Sequence, residues 1–425
     1  MSADKGLLLH SLLSMIARFI GVGLNFALHI LLARMLTLGN YGDVKMLLTL
    51  VTGTALMSRI GIEQLIVKEI ASVEEHQQTF GTQFLKNSYH VIFFTSFVFI
   101  SLWLLFSPWI ADSLFGNITH QNMMLAGIGI LFFNLVTINA FYFKSLRMAS
   151  SSALVQNAIP AISFLLLIGI FWSSFQQNQN YLNLYTASNV LAGILSVMVI
   201  LPWLNRKRAQ QPNIPRFAQI IKRSLPLAPV SLFPFFMLYS DTVMVGALLN
   251  SEQVGLYSTA AQISFISLFF LGALDATIYP RLLNISKNHP DKLQSFFWKA
   301  TALVILGLLL VTLVMAVLAK PALGLFGETF KQATFALLIL LAAQWLRATS
   351  LTFSFMFIIE NQVKRLNIVM VMSLIINLFA NYYLINRYGM EGAATATLIA
   401  NGFLAGSVVI LFFHHKLLVK YKHHD

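Results

Sequence analysis

Four basic side chains lie where a charge is expensive. The stretch "SLLSMIARFIGVGLNFALHI", residues 11–30, is apolar except for a few positions and carries Arg18 near its middle. A charged group at bilayer depth costs about 2.5–3.5 kcal/mol on insertion scales, so it has to face protein or water rather than lipid. At 100° per residue, Ser11, Ser14, Asn25 and His29 fall within about 40° of Arg18, and Gly21 lies at the edge of that face. Lys45, Thr49, Thr52, Arg59 and Glu63 form a similar stripe on the next apolar run. Gln344, Arg347, Ser350 and Ser354 form a broader one. The four cations Arg18, Lys45, Arg59 and Arg347 stand against three comparably deep acids, Glu63, Asp241 and Asp275. A basic excess where water is restricted attracts an anionic headgroup. The same charges can instead pair as structural glue, Arg59 with Glu63 four residues on. His29 by itself reads as a packed histidine, and its place on the Arg18 stripe leaves a cavity role equally open.

A second constellation is oxygen-rich. Asp241 follows Pro226, Pro229 and Pro234 in "LPLAPVSLFPFFMLYSD". Each proline removes a backbone hydrogen bond and loosens the helix, whether for packing or for a moving gate. Near the C-terminus, Ser373, Asn377 and Asn381 repeat at i, i+4, as do Ala393, Thr397 and Asn401. Asparagine in a span commonly serves as interhelical glue, at about 0.6–2 kcal/mol. Carboxylate, amide and hydroxyl oxygens are also the hard ligands of a small cation.

The elements that must position these groups are membrane spans. Mean hydropathy is +0.75, with 57% apolar and only 10% charged residues, against roughly 25% charged in an average soluble domain. Runs of about 20 apolar residues read as transmembrane helices. Twelve are expected, at 8–34, 42–66, 86–112, 121–143, 152–173, 183–204, 218–249, 254–280, 296–319, 332–359, 364–386 and 390–413. The first lacks a small-residue cleavage site and is expected to stay as a span. The fold expected is an all-α integral membrane protein, with twelve transmembrane helices in two six-helix lobes around a central cavity. Residues 1–204 form the N-terminal lobe, 205–217 a cytoplasmic linker ("NRKRAQQPNIPRF") and 218–425 the C-terminal lobe. An internal echo supports the division. "LARMLTLGNYGDVK" (32–45) and "VGALLNSEQVGLYS" (245–258) align Gly42 with Gly255, as in parallel-repeat transporters.

Charge sets orientation. With both termini cytoplasmic, 20 Lys/Arg fall on the cytoplasmic side, four on the opposite side (Arg34, Lys320, Lys331, Arg387) and four inside spans. Positive-inside bias thus accounts for the formal charge of +13 and removes the case for nucleic acid. There is no cysteine, which excludes disulfides, thiolate metal sites and cysteine catalysis. No Walker, HExxH or GxSxG motif is present, and no loop is large enough for a catalytic domain, so an ATP-driven pump or a hydrolase is not expected.

Three segments resemble a known family. "LLARMLTLGNYGDVKMLLTLVTGTALMSRIGIEQLIVKEIA" (31–71) resembles the first-hairpin signature of bacterial polysaccharide-repeat exporters, O-antigen flippases among them. "SDTVMVGALLNSEQVGLYSTAAQISF" (240–265) is similar to their seventh-to-eighth span signature, and "NRYGMEGAATATLIANG" (386–402) to their eleventh-to-twelfth connection. These belong to the multidrug/oligosaccharidyl-lipid/polysaccharide exporter superfamily.

The resemblance implies a transporter rather than an enzyme. Its substrate would be an undecaprenyl-pyrophosphate-linked oligosaccharide, moved from the cytoplasmic to the outer leaflet of the bacterial inner membrane by alternating access. It would serve surface polysaccharide synthesis, such as that of O-antigen in lipopolysaccharide, with a glycan polymerase and a chain-length regulator as partners left open. Arg18 matches a cavity arginine of the family. Asn25, His29, Lys45, Arg59, Glu63 and Arg347 join it from the stripes. Asp241, Asn377, Asn381 and Thr397 match the cation site of lipid II flippases, with Asn381 where an acid would strengthen it, and Asp275 is a further candidate. No cofactor is expected, and Na+ or H+ coupling stays open. The alternatives are a cation-coupled multidrug antiporter of the same superfamily and a membrane glycan polymerase or ligase.

Overall fold

The computed structural model describes residues 20–71, 78–115, 118–171, 181–204, 215–360 and 362–415, without the side chains of 78, 79, 268, 269 and 272–276. The described residues are helical almost throughout. In order they form α1 (Ile20–Met35), α2 (Leu38–Arg59), α3 (Ile62–Ala71), α4 (Gln78–Leu114), α5 (His120–Ser145), α6 (Ala149–Ile170), α7 (Tyr181–Leu204) and α8 (Phe217–Leu248). There follow α9 (Ser251–Ser264), α10 (Ile266–Asn288), α11 (Pro290–Val317), α12 (Glu328–Ile359) and α13 (Val363–His414).

The twelve-span, two-lobe expectation does not hold. Among the described residues, eight helices are long and apolar enough to cross a membrane, or nine if the bent pair α2/α3 counts as one span. The all-α membrane character stands. Local chemistry explains the lower number. The expected span 42–66 breaks at a left-handed turn, where Ile60 has φ 46° and Gly61 φ 83°, and α2 and α3 meet at 51°. A methyl group at Gly61 would approach the Ala228 nitrogen to 2.5 Å, so the turn requires glycine on both counts. The expected span 254–280 is divided at Phe265 into α9 and α10, and the polar content of α9 and the charges of α10 dilute both. The expected spans 364–386 and 390–413 are counted together in α13, which is two helices joined across a kink at Gly389 (φ 60°, ψ −138°). α1 is short because residues 1–19 lie outside the described residues.

The chain divides into two compact units. One comprises the described residues up to Thr37 with Asp43–Phe236, and the other Leu38–Gly42 with the chain from Met237 onward. Most of the expected linker, 205–214, lies outside the described residues.

In the first unit, the core gathers Ile62, Leu65 and Ile66 of α3, Phe84 of α4, Ile138 and Phe143 of α5, Ile200 of α7 and Ile220 of α8. α3 is thereby tied to the start of α8, as Gly61 requires. In the second, Phe297 of α11, Phe353 of α12 and Phe412 of α13 form a triad with ring centroids 4.9–5.4 Å apart. Aromatic pairs at such distances add about 0.5–1.5 kcal/mol to the area they bury. Asn250 caps α9, accepting from the Gln253 N–H at 3.0 Å, and Glu252 in the first turn favours the helix dipole. Gly42 and Gly255, the pair aligned by the repeat, lie against each other within this unit. A methyl at Gly255 would come within 2.9 Å of the Leu38 carbonyl.

Candidate functional site

The second unit brings Asp241 of α8 together with Asn377, Asn381 and Thr397 of α13, all buried. Asn381 Nδ2 donates to Asp241 Oδ1 at 2.6 Å and to Asn377 Oδ1 at 3.1 Å. Thr397 Oγ1 donates to Asp241 Oδ2, and so does the Tyr257 hydroxyl of α9 at 2.9 Å. Ser240 Oγ donates to Asn377 Oδ1 at 3.1 Å. The i, i+4 spacing of 377 and 381 places both amides on one face of α13, and the turn at Gly389 lets Thr397 return to the same carboxylate.

Asp241 therefore accepts three hydrogen bonds, of the roughly four that an ionised carboxylate accommodates. Every group around it is a neutral dipole. Asn381 Oδ1 is buried without a hydrogen-bond partner, an acceptor turned inward with nothing donating to it. The unused Asn381 oxygen, beside the Asp241 carboxylate and the Thr397 hydroxyl, is the feature a small monovalent cation could use. A bound cation would supply there the positive charge that the surrounding dipoles lack. Tyr257 and Ser240 were not singled out by sequence reasoning: a tyrosine and a serine in an apolar run read as packing. Asp275 lies on α10, and its side chain is outside the described residues.

The first unit contains a separate charged network. Arg59 Nε lies 3.5 Å from Glu63 Oε2, both nearly fully buried. Arg59 Nη1 donates to Asn134 Oδ1 at 2.8 Å, and the guanidinium carbon stands 5.9 Å from the centroid of the Phe133 ring. Asn134 Nδ2 donates in turn to Ser58 Oγ at 2.7 Å and Ser96 Oγ at 2.9 Å. Arg59 and Glu63 meet although the α2/α3 break interrupts the continuous stripe expected of them. Their partners are internal, which is the geometry of glue. Asn134, 75 residues from Arg59, carries no sequence signal that links it to the pair.

Lys45 and His29 are both buried and lie within electrostatic reach of each other. Asn25 is half-buried on α1. Nearby on α2, Asp43 takes a hydrogen bond from Tyr181 at the start of α7. Arg18 lies outside the described residues. Arg347, on α12 of the second unit, is half-buried, and among the described residues its guanidinium has no hydrogen-bond or carboxylate partner. Gln344, one turn before it, is buried with Oε1 unpartnered. Ser350 and Ser354 turn their hydroxyls onto backbone carbonyls of α12 at 2.8 and 2.7 Å. Arg347 is thus a cation on an apolar helix with no group answering its charge among the described residues.

The fold is that of membrane transporters rather than of enzymes. A multidrug resistance MATE family transporter of the MOP superfamily, in an inward-facing conformation, has TM-score 0.71 at 16% identity, covering 97% of this chain and 99% of that one. The lipid II flippase MurJ, inward closed, has TM-score 0.71 at 14% identity, covering 96% and 90%. Residues 7–286 match the family model described as polysaccharide biosynthesis protein, and the chain belongs to that family. A curated relative, the probable low-salt glycan biosynthesis flippase Agl15 of Haloferax volcanii, is 27% identical over 172 residues. That alignment covers 40% of this chain and spans 36% of the relative's length.

Proposed function

We propose that this chain is a flippase for undecaprenyl-pyrophosphate-linked oligosaccharide, carrying it by alternating access from the cytoplasmic to the outer leaflet of a bacterial cytoplasmic membrane. The observation that carries the reading is Arg347. A guanidinium held at membrane depth without a carboxylate is costly, and a pyrophosphate is the kind of bidentate oxyanion that guanidinium geometry matches. Arg18 and Lys45 are the further cations of this reading, while Arg59 is committed to Glu63 and Asn134. Family membership in polysaccharide biosynthesis supports a glycan cargo, and the flippase name of the Haloferax volcanii relative supports a lipid-linked one. Asp241 with Asn377, Asn381 and Thr397 is the coupling site of this reading, and Asp275 a further candidate.

The test is complementation. A strain lacking the chain is supplied with wild type, Arg18→Glu or Arg347→Glu at equal protein level, and surface polymer is measured. Wild type restores the polymer and both charge reversals abolish it. Normal polymer in the two variants removes the headgroup role.

A cation-coupled multidrug antiporter is the second reading, favoured by the Asp241 cluster and by the likeness to a multidrug transporter fold. It requires the deletion strain to become hypersensitive to cationic drugs while its surface polymer stays normal.

A further inference from the structure

The chain entering α8 leans on α4 at two points. Asn87 Nδ2 donates to the Pro215 carbonyl at 3.0 Å, and the Phe94 and Phe217 rings meet edge to face with centroids 5.5 Å apart. At 100° per residue, positions 87, 90 and 94 share one face of a helix, so His90 lies between the two contacts. Arg216 lies between them on the facing chain. This packing, all of it within the first unit, sets His90 and Arg216 beside a pair of phenylalanines. Lys86 adjoins them, because its carbonyl lies 2.9 Å from His90 Nδ1.

Although the two rings touch, Phe94 is 55% and Phe217 39% exposed, so both keep surface for an outside group. His90 and Arg216 are exposed, and Lys86 is half-buried. Among the described residues neither Lys86 nor Arg216 is ion-paired, while Glu69 of α3 is taken by Arg223 at 3.3 Å.

The cluster also sits at a defined height. α4 runs for 37 residues, well beyond the roughly 20 that cross the apolar layer. Its first turns carry Gln83, Lys86 and Asn87, and the expected spans begin at 86 and 218. Both helices therefore enter the apolar layer at this cluster, on the side that the charge bias makes cytoplasmic. That bias asks for basic residues anywhere along the cytoplasmic side. It does not ask for them beside two exposed rings at the point of entry.

We propose that the α4/α8 junction is a binding site for an anionic phospholipid of the cytoplasmic leaflet, with the chemistry of phosphatidylglycerol. Arg216 and Lys86 would hold the phosphodiester through charge-assisted hydrogen bonds, and the first acyl carbons would lie on Phe94 and Phe217. His90, whose Nδ1–H is spent on the Lys86 carbonyl, offers Nε2 as an acceptor to a glycerol hydroxyl. Phosphatidylcholine brings a cation of its own and no headgroup hydroxyl, so it is the poorer ligand on both counts. A bound lipid would clasp the start of α8 to α4.

The experiment titrates phosphatidylglycerol and phosphatidylcholine of equal chain length onto the full chain in detergent, with binding constants read by native mass spectrometry. Wild type is expected to prefer phosphatidylglycerol. Arg216→Gln and Lys86→Gln should each weaken phosphatidylglycerol about five-fold, as loss of one basic contact at a headgroup does, and leave phosphatidylcholine unchanged. Neither side chain is buried, so both variants should melt as wild type does. Lys320→Gln, exposed and expected on the opposite side, should change neither lipid. Equal affinity of wild type for the two lipids overturns the site. So does a preference that Arg216→Gln and Lys86→Gln both retain, or one that Lys320→Gln lowers as far, since net charge alone would then account for it.

Discussion

Asn381 donates a 2.6 Å hydrogen bond to Asp241, 140 residues earlier in the chain, and so fixes α13 to α8 at a buried carboxylate. Thr397 and Tyr257 complete the set of donors. A buried carboxylate solvated by neutral dipoles is expensive to break, because each donor left unpaired costs about 1–3 kcal/mol. Asp241→Ala strands all three donors, whereas Asp241→Asn keeps oxygen acceptors for two of them. Thermal unfolding in detergent should show the alanine variant as the less stable by at least about 2 kcal/mol. Equal melting temperatures for the two would show that the cluster contributes no net stability.

The same cluster predicts an ion effect. A cation that binds the folded state alone stabilises it by mass action, about 2.7 kcal/mol at one hundred times its dissociation constant. Replacing choline chloride with sodium chloride at constant ionic strength should raise the melting temperature of wild type and not of Asp241→Asn. If both respond alike, the sodium effect lies elsewhere on the protein. If neither responds, sodium is not the coupling ion.

Arg59 and Glu63 behave as a unit in the packed interior of the first unit. Removing one partner of a buried ion pair typically costs about 3–5 kcal/mol, because the other charge is left stranded. Arg59→Leu should therefore destabilise strongly, and the double variant Arg59→Leu with Glu63→Leu less than the single one. A double-mutant cycle on melting temperature measures this coupling. Additive losses would mean that the 3.5 Å approach carries little energy.

Gly61 is held at φ 83° against the backbone of Ala228. Gly61→Ala adds about 1–2 kcal/mol of left-handed strain to a steric overlap that backbone cannot relieve cheaply. Expression and monodispersity should fall sharply, while Gly23→Ala, with open space around it, should leave both unchanged. A well-folded Gly61→Ala protein would contradict the turn described here.

Some of this was legible in the sequence because short-range periodicity survives folding. Asn377 and Asn381 sit one turn apart, so their shared face followed from spacing alone, and Arg59 and Glu63 likewise found each other four residues apart. What spacing cannot supply is the partner from a distant helix: Tyr257 on α9 and Asn134 on α5 are fixed by packing. Helix continuity was overestimated for a related reason. Hydropathy averages across Gly61 and Phe265 without registering either interruption, so the expected spans 42–66 and 254–280 each became two helices. At Gly389 a residue with positive φ separates two helices within α13, between the expected spans 364–386 and 390–413. α6 also contains a π-turn at Leu154–Ala158, which leaves only Pro160 as a trace in the sequence, since a change of hydrogen-bond register has no residue type of its own.

Arg347 is where function and geometry meet, because its charge has no protein partner among the described residues and its loss strands no carboxylate. Flipping of undecaprenyl-pyrophosphate-linked oligosaccharide in proteoliposomes therefore separates transport from folding. Wild type should move the lipid across the bilayer, and Arg347→Glu, with an unaltered melting temperature, should do so at least about thirty-fold more slowly. Equal flipping rates for wild type and Arg347→Glu would contradict the role given to this arginine, and with it the pyrophosphate recognition on which the proposed function stands.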